Sequence, residues 1–124
     1  AIIADCGFTS PYEIAKSVLR RDYPRLPVGL LLPICGLFTR LYAGLGRHDA
    51  STLDAVRESR YPILFIHGTG DTFVPCEMTK EAYAACTSEK ELILVDSAEH
   101  GKSYLVEKGR VEEALCRFLA THTE

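Results

Sequence analysis

Asp71 and His100 are the side chains best suited to acid–base chemistry, and each lies a few residues past an apolar run of β character. The first run reads Ile63-Leu64-Phe65-Ile66-His67-Gly68-Thr69-Gly70-Asp71 and continues to Val74-Pro75. The second reads Glu91-Leu92-Ile93-Leu94-Val95-Asp96-Ser97-Ala98-Glu99-His100-Gly101. In open α/β sheets the loops at the carboxyl ends of parallel strands converge on one crevice. An imidazole titrates within reach of neutral pH, so it can take a proton and return it. A carboxylate accepting from its other ring nitrogen fixes the tautomer and stabilises the imidazolium. An acid followed by a histidine is also the order of the last two members of a Ser…Asp…His triad. The first member is missing: no Gly-x-Ser-x-Gly occurs, so the nucleophile is expected to be absent from this chain.

Each of these residues has a plainer reading. Asp71 could cap a helix opening at Pro75, and a lone loop histidine is more often solvated than catalytic. His67 stands at a strand end before a glycine and is expected to pack or bond the adjacent loop. His48 and His122 are expected at the surface, Glu99 in solvent, and Asp5 as an anchor for the loop after the first strand. Cys6 lies in no nucleophile-elbow context, which argues against a thiol nucleophile. Gly68-Thr69-Gly70 fits neither phosphate-binding glycine pattern. No His/Cys/Asp group has metal-ligand spacing along the chain, so neither a metal nor a cofactor is expected.

The elements that must position the pair follow from local patterns. Ala1 to Asp5 reads as a parallel strand buried on both faces. Ser10, Pro11 and Glu13 form a capping box with proline at the first helical position, predicting a helix to about Arg21. In that helix Ile14, Val18 and Leu19 would face inward and Lys16 and Arg20 outward. Pro33 is expected to open a helix through Leu37, Phe38, Leu41 and Tyr42, stopped by Gly44 and Gly46. Ser51 with Asp54 starts a short helix, Pro62 to His67 is the second strand, and Pro75 starts a helix ending near Cys86. Glu91 to Val95 is the third strand, with helix from Lys102 onward carrying Val111, Leu115, Phe118 and Leu119 inward. Strands alternating with helices predict an α/β layered fold, three layers (αβα) around a mostly parallel sheet.

The 124 residues leave room for one domain. Composition is ordinary for a globular protein, at 47% hydrophobic and 25% charged, which excludes a disordered chain. A net charge of -3 argues against nucleic acid or an anionic membrane as partner. Cys6, Cys35, Cys76, Cys86 and Cys116 are an odd set without a Cys-x-x-Cys pair, read as reduced residues of a cytoplasmic protein. The longest uncharged stretch, Leu26 to Thr39, is too short for a membrane span and is broken by prolines and glycines.

Three blocks together resemble the C-terminal half of an α/β-hydrolase: Ile2 through Ser10, Pro62 through Pro75, and Val95 through Gly101. They are most similar to bacterial prolyl-oligopeptidase-like and serine-aminopeptidase-like hydrolases, with the likeness weakest across Arg25 to Ser59. The combination Pro-x-Leu-x-Ile-His-Gly-x-x-Asp-x-x-Val-Pro, then Glu-His-Gly about 30 residues later, is what makes the resemblance specific. The resemblance implies one partial domain over residues 1–124, with residues 25–59 either a lid or pocket-lining insert or a helix packed on the sheet. It implies Asp71 as triad acid and His100 as general base of a serine hydrolase cleaving an ester, thioester or amide of a small, apolar substrate. Nucleophile and oxyanion hole would come from an N-terminal complementing segment, and the chain alone would be inactive. The competing expectation is a non-catalytic α/β module, or half of a two-chain assembly, using an unpaired strand edge to bind a partner.

Overall fold

The computed structural model describes residues 1–44, 46 and 49–123, and His48 lies outside them. Three parallel strands run side by side in chain order: β1 (Ile2–Asp5), β2 (Ile63–Gly68) and β3 (Lys90–Val95). Between β1 and β2 come α1 (Pro11–Asp22), α2 (Val28–Ala43) and α3 (Thr52–Glu58). α4 (Cys76–Ala85) links β2 to β3, and α5 (Ser103–Val106) and α6 (Lys108–His122) follow.

The central strand β2 is buried along its whole length, and its alternating side chains divide the core in two. Leu64 and Ile66 join Ile93 and Val95 beneath Val111, Ala114 and Phe118 of α6. Ile63 and Phe65 face the other way, against Val56 of α3 and Ala82 of α4, with Cys86 just beyond α4. Helices therefore cover both faces, giving the expected αβα layers.

Two helix starts form as their sequences dictate. Ser10 and Ser51 each accept the backbone amide three residues on, from Glu13 and Asp54, and Pro11 fills the first position of α1.

Five expectations need correction. β1 is not buried on both faces: Ile2 and Ile3 stay 40% and 38% exposed. It is an edge strand paired only with β2, and Ile3 lies outside the cluster that α6 builds over Leu64. α2 does not begin at Pro33 but at Val28, with proline inside the helix. The N–H that Pro33 lacks would have bonded the Gly29 carbonyl, and both residues are exposed, so water can satisfy that group. α2 leans on α1 rather than the sheet. It buries only Val28 and Leu32 and leaves Leu30, Leu37, Phe38 and Leu41 exposed. In α6, Ala114 takes the inward place expected of Leu119, because positions 111, 114 and 118 share one side of a 3.6-residue helix. His122 is not a surface residue either: its ring packs on Phe118, centroids 4.5 Å apart.

Candidate active site

The loops leaving β2 and β3 are stitched together before either presents a functional side chain. Thr69 N–H donates to the Val95 carbonyl and Gly70 N–H to the Ala98 carbonyl, at 2.9 and 3.0 Å. The Thr69 hydroxyl donates to Asp96 Oδ1 and accepts from Ser97 N–H. The approach is close enough that Gly68 is required, since a Cβ there would overlap the Ala98 carbonyl. Ser97 (φ 56°) and Gly101 (φ 67°) both take the left-handed conformation, so the loop from Ser97 to Gly101 folds back on itself.

This places Asp71 and His100 in contact across 29 residues of sequence. His100 Nδ1 lies 2.7 Å from Asp71 Oδ2. The carboxylate is an acceptor, so Nδ1 carries the proton and the Nε2 lone pair is available. Asp71 Oδ1 accepts the amides of Phe73 and Val74 at 2.8 and 2.9 Å. Oδ2 thus pairs with His100, whereas Oδ1 holds the turn ahead of α4 and does not cap it: α4 has no side-chain cap, and the Phe73 and Val74 amides precede its first residue, Cys76. Burial by itself would raise the Asp71 pKa. The His100 hydrogen bond and the two amides outweigh it, holding the carboxyl below its ordinary value and keeping it ionised.

The two partners differ in exposure. The Asp71 side chain is wholly buried, while that of His100 is 45% exposed. Phe73 stands edge-on to the imidazole with centroids 5.1 Å apart. Arg21, from the end of α1, lies over the Phe73 ring and donates to the Thr72 carbonyl, tying α1 to the acid-bearing loop.

His67 supports this arrangement from beneath. It is fully buried, with Nδ1 2.6 Å from the Thr79 hydroxyl and Nε2 3.0 Å from the Val74 carbonyl. Asp71 Oδ2 is also 3.2 Å from Nε2. Two acceptors beside Nε2 assign it a proton. His67 therefore bonds the adjacent loop, as its position before a glycine implied. Glu99 pairs with Lys102 in solvent. Asp5, exposed at the end of the edge strand, accepts a hydrogen bond from the thiol of Cys6, the first residue of the following loop, at 3.3 Å.

One participant was missed. Cys6, buried and in the left-handed conformation (φ 52°), accepts the Gly101 N–H on its sulfur at 3.3 Å. Burial above all, then the Asp5 hydrogen bond and the charges of Asp5 and Asp71, push the thiol up to about 11 against the pull of the Gly101 amide. A thiol held protonated is a poor nucleophile. One ligand atom from each of Cys6, Asp71 and His100 lies within 4.8 Å of the others, a metal-competent group that spacing along the chain did not reveal. The usable signal was that all three residues closely follow strand ends, which a parallel sheet gathers at one edge.

No protein-family model matches the chain. A Bacillus subtilis protein, the uncharacterized YqkD, is 32% identical over 117 residues, 94% of this chain and 38% of that protein. The chain thus spans less than half the length of this relative. Among solved structures, the Pyrococcus furiosus esterase PF2001 matches with a TM-score of 0.65 and 20% identity, over 98% of this chain and 44% of that one. MGS-MChE2, an α/β hydrolase enzyme from a lagoon-sediment metagenome, matches with a TM-score of 0.56 and 13% identity, over 98% and 50%. By fold, this chain corresponds to about half of an α/β-hydrolase-like domain.

Proposed function

We propose that this chain carries the acid and the base of a serine hydrolase acting on an ester, thioester or amide. The supporting observation is the 2.7 Å contact that joins buried Asp71 to half-exposed His100. With its Nδ1 proton committed to Asp71, His100 would take the serine proton on Nε2 during attack and return it to the leaving group. Asp71 stays ionised and stabilises the imidazolium formed between those steps. The serine and the oxyanion donors would come from a segment outside this chain, which would bind at the sheet edge beside β1. The likeness in fold to the Pyrococcus esterase favours an ester, and the substrate is a small molecule.

Residues 25–59 act in this reading as a helical insert shaping the substrate pocket. A concavity of about 220 Å³ between α1 and α2, lined by Tyr12, Ala15, Leu32 and Cys35 among others, is the apolar hollow this insert offers, and Asp71, Phe73 and His100 do not line it. Five unpaired cysteines fit a reducing cytoplasm. None of the described helices is long and apolar enough to cross a membrane.

A partner-binding module without catalysis is the second reading, favoured by exposed Ile2 and Ile3 on the edge strand β1. A fluorophosphonate probe separates the two. A longer native protein containing these residues labels on a serine in the first reading, while the 124-residue chain does not. In the second, neither labels.

A further inference from the structure

We propose that Cys6, Asp71 and His100 form a binding site for a borderline-soft divalent cation of the zinc class, an assignment that does not depend on the hydrolase reading. The three side chains follow three neighbouring strands, β1, β2 and β3, and meet at one end of the sheet. Their ligand atoms lie within 4.8 Å of one another. Tetrahedral coordination at roughly 2.0 Å for N and O and 2.3 Å for S needs ligand atoms about 3.3–3.8 Å apart. The Asp71–His100 pair, at 2.7 Å, must open by about 0.6 Å and the longest separation must close by about 1 Å, and the exposed His100 ring supplies the movable member.

The donor chemistry selects the ion. Thiolate, imidazole and carboxylate together suit Zn²⁺ or Co²⁺, whereas Mg²⁺ and Ca²⁺ prefer oxygen alone. Three protein ligands beside solvent leave a fourth position for water. The surroundings already provide outer support: the Gly101 amide donates to the Cys6 sulfur, and the Phe73 and Val74 amides hold the other oxygen of Asp71. The left-handed backbone of Cys6 is costly for a residue with a Cβ, and it accompanies a thiol brought within reach of the Asp71–His100 pair. Binding converts the Cys6 thiol to thiolate, releasing one proton, and replaces the Asp71–His100 hydrogen bond with two metal bonds; if Nδ1 is the ligand, its proton moves to Nε2 and the imidazole stays neutral. An ion here and a proton-shuttling His100 exclude each other.

Cobalt titration of the 124-residue chain tests the site. Cys35 and Cys116 are exposed and are first replaced, as Cys35→Ser and Cys116→Ser, to remove competing thiols. In that background one equivalent of Co²⁺ should give a thiolate-to-metal absorption band that Zn²⁺ displaces and Mg²⁺ does not. Cys6→Ala and His100→Ala should each weaken binding at least tenfold. Absence of a stoichiometric thiolate band in the background protein overturns the assignment, as does a band of unchanged affinity in His100→Ala. The exposed His100 position makes that variant decisive should Cys6→Ala unfold.

Discussion

Gly68, at the end of β2, abuts the Ala98 carbonyl so closely that a single methyl group could not be fitted between them. This backbone contact brings the loop carrying Asp71 and the loop carrying His100 within side-chain range. Gly68→Ala should destabilise the chain by about 2 kcal/mol through overpacking, read from urea denaturation midpoints. Gly36→Ala, inside α2 with open space around it, should do the opposite and stabilise by roughly 0.5–1 kcal/mol. Equal effects at the two positions would contradict the close approach.

The Thr79 hydroxyl lies 2.6 Å from Nδ1 of the buried His67 and 3.0 Å from the Gly7 carbonyl, 72 residues away in sequence, and its one proton serves one of these acceptors at a time. Thr79→Val keeps the shape but strands both partners, and should cost about 1–3 kcal/mol in the same denaturation measurement. A neutral outcome would mean that the hydroxyl is not needed to fill the space beneath Asp71.

Asp71 gives stability a defined pH dependence. Its folded pKa lies below the unfolded carboxylate value of 3.8, so its contribution is fully present above that value and is lost as pH falls through the lower, folded one. Unfolding free energy measured from about pH 6 down to about pH 2.5 should therefore fall more steeply for the native chain than for Asp71→Asn. Parallel curves would remove the ionised, hydrogen-bonded carboxylate from the account.

The cysteines should separate by reactivity. A thiol pushed up to about 11 is only about one part in a thousand thiolate at pH 8. Cys6 should alkylate with iodoacetamide at least tenfold more slowly than exposed Cys35 and Cys116, as followed by peptide mapping. Comparable rates would mean that the thiol is neither buried nor held protonated.

What could be read from the chain beforehand was local. Capping serines 10 and 51, the apolar run of β2 and the glycines after it are decided within a few residues, and they fell where their patterns put them. Non-local facts were not legible. Ile2 and Ile3 look like core until β1 is seen to be an edge, and edge status depends on strand order. Pro33 reads as a helix start until the exposure of Gly29 shows that the lost bond can be tolerated. Cys6 is 65 residues from Asp71 and 94 from His100, so only the parallel packing of three strand ends reveals the group.

Ester turnover by a longer native protein containing these residues tests the central claim most directly. With p-nitrophenyl acyl esters near neutral pH, kcat should fall by about 10³–10⁴ in both His100→Ala and Asp71→Asn, the loss typical of a broken acid–base pair. KM should change little, because the pair acts on the proton rather than on binding. Turnover within tenfold of the native enzyme in either variant would contradict the assignment of Asp71 and His100 as its acid and base.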